Sequence, residues 1–318
     1  MSFNSIPVVD VNEFVTGNES AKHHFVMELG KAFEEVGFVS VKNHGVPQDL
    51  IDTYYKAVQK FFELPTAVKK KYEMPALAGQ AGYTSFGVEQ AKGSEVPDLK
   101  EFWQVGQTVE GDDLPAVKYP DNFKVAEIPE FYDLGIKLFR AFEASGRNLL
   151  RAIGIYLEIG EFYFDKHVHN GNSIIRAIHY PPITREPENA VRAEQHEDIN
   201  IITLLVGASA EGLQLLNKQN IWVDITAPEG CIVVNVGDML QRLTNNKLKS
   251  TTHRVVNPPR EKWSTPRYSI PFFMHPKREM RLDCLSSCVT EKHPIAYPPV
   301  TAGEYLDERL EEIGLKKK

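Results

Sequence analysis

From residue 173 onward the chain breaks into short runs rich in Ile, Val and aromatic residues. They are Ser173–Tyr180, Ile199–Val206, Leu213–Leu216, Cys231–Val236, His253–Val256 and Tyr268–Met274, separated by Pro, Gly and Asn. Runs of this length and composition read as β-strands. Many short strands at close spacing bury their apolar faces by packing as two sheets or by closing into a barrel. The pattern predicts a β-sandwich or jelly-roll barrel for the C-terminal half.

The N-terminal half has a different period. Ile6–Asp10 reads as a short strand, and after Ser20 the residues Phe25, Leu29, Phe33 and Val36 recur at helical spacing up to Gly37. A strand, Phe38–Val41, leads into the turn Asn43-His44-Gly45-Val46, and Pro47 starts a second helix that ends before Pro65. Phe131, Leu134, Leu138, Phe142, Leu149 and Ile153 predict a long amphipathic helix bracing the strands. Thr301 is an N-cap candidate for a closing helix reaching Leu315. Between about residues 75 and 120, Gly, Ser, Gln and acidic residues predominate, as in a lid or a plain surface connection. The chain is therefore expected to be α+β and one compact unit: a mainly helical region 1–170 with the loop-rich lid, a jelly-roll core 171–290, and a C-terminal helix within 291–318.

Several function classes drop out. The net charge is -7, and the only basic clusters are Lys69–Lys71 and Lys316–Lys318, so no nucleic-acid partner is expected. Three cysteines form no disulfide framework, and Cys284 with Cys288 lacks the second matching pair of a zinc site. Met1–Pro7 carries neither a basic nor an apolar signal region, and no later run could span a bilayer. A cytoplasmic protein acting on a small molecule, with no membrane contact and no obligate protein partner, is expected.

The chemistry is concentrated between His196 and Ser269. Alternate residues of a strand face the same way, so His196 and Asp198 can point together while Glu197 points away. His253 opens a later strand that a jelly roll can bring alongside. Two imidazoles and one carboxylate with open coordination positions are the ligand set of non-haem Fe(II) oxygenases, although zinc could take the same ligands. Taken singly, His167, His179 and His275 read as structural. Arg267 and Ser269 are again two apart, and an Arg fork beside a hydroxyl is suited to anchoring a carboxylate. Arg176, Tyr83, Phe102 and Phe273 are the candidates for contact with substrate, Arg176 for a substrate carboxylate or carbonyl.

Further motifs run the length of the chain: Gly37-Phe38-Val39, Asn43-His44-Gly45-Val46, Tyr180-Pro181-Pro182, Gly212-Leu213-Gln214, Trp222-Val223-Asp224-Ile225, Asn235-Val236-Gly237-Asp238 and Thr244-Asn245-Asn246. Together with His196-Glu197-Asp198, Thr252-His253-Arg254-Val255 and Arg267-Tyr268-Ser269, the chain resembles the isopenicillin N synthase-like 2-oxoglutarate-dependent Fe(II) oxygenases. The resemblance implies a double-stranded β-helix (jelly roll, cupin-like) core and Fe(II) held by His196, Asp198 and His253. It also implies 2-oxoglutarate as cosubstrate on Arg267 and Ser269 with Tyr180 as a further donor, and O2 as oxidant. The implied reaction hydroxylates, desaturates or cyclises a small organic substrate through C–H abstraction and releases succinate and CO2. The alternatives are a 2-oxoglutarate-independent oxidase similar to isopenicillin N synthase, acting on a peptide or amino-acid-derived substrate, and a non-catalytic metal-binding protein. Many plant members carry Asn where this chain has Ile178, and Glu261-Lys262-Trp263 is expected as an insertion in the turn before Arg267.

Overall fold

In the computed structural model, which describes residues 6–91, 96–207 and 211–316, the first half runs β1 (Val8–Asp10), α1 (Val11–Val15), α2 (Glu19–Glu35), β2 (Phe38–Lys42), α3 (Gln48–Glu63), α4 (Thr66–Lys69), β3 (Gly82–Thr84), β4 (Glu101–Gly106) and α5 (Glu130–Tyr156). A short α6 (Asp165–Val168) leads to β5 (Ile174–Tyr180), β6 (Ala193–His196), β7 (Ile202–Val206), β8 (Leu213–Leu216), β9 (Trp222–Asp224) and β10 (Cys231–Val236). Then come α7 (Asp238–Leu243), β11 (His253–Val255), β12 (Arg267–Met274) and α8 (Ala302–Glu312).

The strands form two sheets. The larger has eight strands in the order β1-β2-β10-β7-β12-β5-β4-β3, and the smaller has four, β6-β11-β8-β9. This is the jelly-roll core with helices on its outside. The strands β1 to β4 belong to the same sheet as β5, β7, β10 and β12, so the N-terminal residues help to build the core.

Helix α5 braces the large sheet. Phe139 and Phe142 pack on Phe272 of β12 with ring centroids 5.1 and 5.4 Å apart, and each fully buried ring contributes on the order of 1.5–3 kcal/mol. At Gly146 an added Cβ would lie 2.5 Å from Met274 Sδ, so any larger residue there would have to displace the Met274 side chain. At the start of α5, Phe131 stacks on Tyr54 and Phe61 of α3 at 5.5 and 5.4 Å. Gly37, at φ +78°, ends α2 in the left-handed conformation that glycine adopts without a Cβ penalty.

The stretch expected as loop-rich contains two strands. All six residues of β4 are buried, including Glu101 and Gln104. Burial of polar residues hid the alternation by which strands are recognised. Their partners lie elsewhere in the chain: Lys69 and His179 for Glu101, Arg176 for Gln104. Glu261–Trp263, expected as an insertion, lies at the 3-10 turn Arg260–Lys262 and its C-cap Trp263 before β12, and Arg267 is paired with Tyr180. Helix α8 opens with a full capping box between Thr301 and Glu304. Among the described residues no helix is long and apolar enough to cross a membrane.

Candidate active site

Antiparallel pairing of β6 with β11 sets His253 opposite His196, with ring centroids 4.4 Å apart. Strand β6 ends at His196, so Asp198 lies beyond it in the connection to β7, where its carbonyl accepts the Asp238 amide at 2.7 Å. That contact, and not strand alternation, fixes the backbone from which the carboxylate projects. Asp198 Oδ1 is 3.9 Å from His196 Nε2 and 3.8 Å from His253 Nε2, and one donor atom from each of the three residues lies within 4.8 Å of the others.

The far nitrogens are already engaged. His196 Nδ1 meets the Glu194 carbonyl at 2.7 Å and His253 Nδ1 meets that of Thr251 at 3.1 Å. A carbonyl only accepts, so each Nδ1 carries the proton and each Nε2 presents a lone pair to the same point. Two such lone pairs and a carboxylate oxygen fit a divalent metal of the iron or zinc type. Burial, then the neighbouring His253, lowers His196 to about 4, against the pull of Asp198. Its side chain still keeps 34 % of its surface accessible, as expected at a cavity wall. Burial alone would raise the Asp198 carboxyl; His253, His196 and hydrogen bonds from Asn235 and Thr203 outweigh it and hold it below the usual carboxylate range.

The triad opens into a cavity of about 410 Å³. One wall is the ladder of β5 against β12. Its register pairs Arg267 with Tyr180, Ser269 with Ile178 and Phe273 with Ile174, and all six side chains line the cavity. Arg267 is 2 % exposed, and its guanidinium lies 5.1 Å from the Tyr180 ring. Arg192, which sequence reasoning missed, places a second guanidinium 6.0 Å from the same ring. Burial and the nearby Arg267 push Arg192 down to about 10. Arg267, Ser269 and Tyr180, which line the cavity, form a donor set that fits a carboxylate, and Arg192 backs the Tyr180 ring while donating to the Thr265 carbonyl.

The expected substrate residues divide. Arg176 and Phe273 line the cavity. Tyr83 does not: its ring packs on Phe61 on the opposite face of the large sheet, and its hydroxyl donates to Glu101. Phe102 is 1 % exposed and carries the Arg176 guanidinium 4.2 Å above its ring, so it supports Arg176 from behind. Sequence reasoning also missed Glu89, Lys100 and His275 in the wall, and Leu306 and Leu310 of α8, which close it. The helical spacing of α8 was legible; its position over the cavity was not.

Comparison with known proteins agrees with this geometry. Residues 6–127 match the family described as non-haem dioxygenase in morphine synthesis N-terminal, and residues 171–276 match the 2OG-Fe(II) oxygenase superfamily. A 2-oxoglutarate-Fe(II) type oxidoreductase of Metarhizium rileyi is 30% identical, over 96% of this chain and 90% of its own. Among solved structures, a 2OG-Fe(II) oxygenase family protein of Caulobacter crescentus is 41% identical with a TM-score of 0.84, covering 97% of this chain and 99% of that one. A full-length Neurospora crassa protein, crystallised with alpha-KG and thymine, is 29% identical with a TM-score of 0.85, covering 98% of each chain.

Proposed function

The chain belongs to the isopenicillin N synthase-like 2-oxoglutarate–Fe(II) oxygenases and is a 2-oxoglutarate-dependent dioxygenase; we propose that His196, Asp198 and His253 hold its iron, and that Arg267, Ser269 and Tyr180 hold the carboxylate of 2-oxoglutarate remote from the metal. The observation that carries this reading is the convergence of two Nε2 lone pairs and Asp198 Oδ1 at one end of a cavity that also contains the Arg267 side chain. Names of relatives favour 2-oxoglutarate over the cosubstrate-independent alternative.

When bound, ferrous iron and 2-oxoglutarate together activate O2, giving succinate, CO2 and the oxidising equivalent that breaks a substrate C–H bond. The chain's own residues do the rest. Arg267 and Ser269 fix the cosubstrate from one strand, while the two histidines from the smaller sheet and Asp198 from the connection after β6 fix the metal. Ile178, Leu205 and Val255 supply apolar wall that excludes water from the oxidant. Arg176 and Phe273, farther along the β5–β12 ladder, receive the substrate, a small organic molecule. The N-terminal strands and helices act with the core as one structural unit, in the cytoplasm, with neither nucleic acid nor membrane as partner.

The test is anaerobic addition of Fe(II) and then 2-oxoglutarate, followed by O2 and assay of succinate. A visible charge-transfer band on adding 2-oxoglutarate and succinate after O2 are expected. Absence of both would overturn the reading.

A further inference from the structure

Among the described residues, the end of the cavity around Arg176 holds a cluster of four paired charges. Lys100 Nζ lies 2.6 Å from Glu89 Oε1 and 2.8 Å from Asp98 Oδ2. Arg176 Nη1 lies 2.9 Å from Glu89 Oε2, and Arg176 Nε donates to Gln104 Oε1 at 2.6 Å. The guanidinium is held between the rings of Phe102 and Phe273, 4.2 and 5.3 Å away. Two cations and two carboxylates sum to zero. A substrate carboxylate brought against Arg176 would therefore leave one net negative charge in a buried site, and an unpaired buried charge is costly. A neutral acceptor takes the remaining guanidinium N–H groups without that cost.

A second residue points the same way. His275 is 5 % exposed and lines this cavity, yet its ring makes no hydrogen bond among the described residues, and Nδ1 is buried without a partner. Its backbone is pinned at both ends: the amide donates to Ser173 Oγ at 3.1 Å, and Ser173 Oγ donates to its carbonyl at 3.2 Å. Nδ1 is sealed inside the wall, whereas Nε2 is not among the sealed atoms, so the ring nitrogen that can meet a ligand's polar group is Nε2. Burial holds the ring neutral, with its pKa lowered to about 3.

Resting on the proposed function above, we infer that this end of the cavity selects an uncharged carbonyl compound of the amide or lactam class. Arg176 donates to its carbonyl, His275 bonds a second polar atom, and Phe273 packs on its face. Glu89 is the residue that excludes carboxylates, because it already neutralises Arg176.

The experiment uses the anaerobic protein loaded with Fe(II) and 2-oxoglutarate, titrated calorimetrically with matched pairs: 2-pyrrolidinone and pyroglutamate, thymine and 5-carboxyuracil, benzamide and benzoate. At least one neutral member is expected to bind tenfold or more tightly than its acid, and Glu89→Gln to shrink that ratio tenfold or reverse it. His275→Leu is expected to weaken the neutral ligand at least tenfold and provides a second test should the Glu89 variant not fold. Equal or tighter binding of the acids by the wild-type protein, or no binding by any neutral member, would overturn the inference. The charge-transfer band recorded before titration reports separately on the iron and 2-oxoglutarate reading, and the pair preference can be measured whether or not the band is present.

Discussion

Asn235 Nδ2 donates to Asp198 Oδ2 at 2.8 Å, and Thr203 Oγ1 donates to the same oxygen at 2.6 Å. Both bonds go to the oxygen that the histidines do not face, so the carboxylate is held with Oδ1 towards the two imidazoles. Partners that orient a ligand typically contribute about 10- to 100-fold to metal affinity. Asn235→Ala is expected to lower Fe(II) affinity by that amount. In saturating iron, the affinity for 2-oxoglutarate should be unchanged. A competitive iron titration checks the first expectation and the visible band the second.

Removing a proposed ligand and removing the cosubstrate anchor should separate cleanly. Asp198→Ala leaves two neutral imidazoles and is expected to abolish iron binding. Arg267→Ala is expected to retain iron and to raise the KM for 2-oxoglutarate. A charge-assisted hydrogen bond is worth about 1.5–3 kcal/mol, or roughly 10- to 150-fold. A silent Arg267→Ala would show that the carboxylate is held elsewhere.

The two classes of residue differed in how well the sequence showed them. Arg267 and Ser269 were legible from strand periodicity, and His196 with Asp198 from their short spacing, although β6 ends at His196 and the alternation invoked for Asp198 does not reach it; His253 was legible as the start of a later strand. Thr203 and Arg192 come from separate places in the chain with nothing in their local pattern to mark them, and Asn235, although it opens the motif Asn235-Val236-Gly237-Asp238, gives no sign there that its side chain holds Asp198. The same holds for Lys100 and Glu89, whose burial is tolerable because they pair with each other and with Asp98 and Arg176. Strand β4 was hidden for a related reason: Glu101 and Gln104 occupy positions where a strand reader expects apolar side chains. Tyr83 and Phe102 were placed at the mouth because aromatic residues in a loop-rich stretch suggest a lid, whereas β3 and β4 bury them as part of the large sheet.

Tyr83 therefore supports the fold and not the substrate. Glu101, buried, is held by Lys69 Nζ at 2.8 Å, by His179 Nδ1 at 2.8 Å and by the Tyr83 hydroxyl. Tyr83→Phe removes one hydrogen bond to a charged group and should lower stability by about 1.5–3 kcal/mol. Denaturant unfolding measures the loss. The substrate KM should not move, and a rise in KM with stability unchanged would return Tyr83 to the binding site.

His275 makes stability depend on pH in a known direction. In the unfolded chain it takes up a proton near 6.5; burial first, then the charges of Arg176 and Arg278, outweigh the pull of Asp198 and lower the folded value to about 3. The unfolded state then binds more protons between these values, so the contribution is complete above pH 6.5 and is lost as pH falls towards 3. By about pH 4.5 the loss amounts to roughly 2–3 kcal/mol. His275→Leu should flatten the unfolding free energy across this window relative to the wild-type protein. An identical pH slope in the two would mean that the imidazole is protonated in place.

Thr301 controls how firmly the cavity is closed. Leu306 and Leu310 of α8 are buried and line the cavity, so the helix must be formed for the wall to be complete. Its start depends on one reciprocal pair: Thr301 Oγ1 accepts the Glu304 amide at 3.2 Å, and Glu304 Oε2 accepts the Thr301 amide at 2.8 Å. Loss of an N-cap threonine costs about 1 kcal/mol, which is roughly a fivefold increase in the population of the frayed helix. Thr301→Ala should raise amide hydrogen exchange over Ala302–Glu312 about fivefold, while exchange in β5 and β12 stays at its wild-type rate. With the wall open more of the time, water reaches the site and more 2-oxoglutarate should be consumed per substrate oxidised, measured as succinate formed against product. Faster exchange with that ratio unchanged would make α8 a passive cover, and the water-excluding wall would then be the sheet alone.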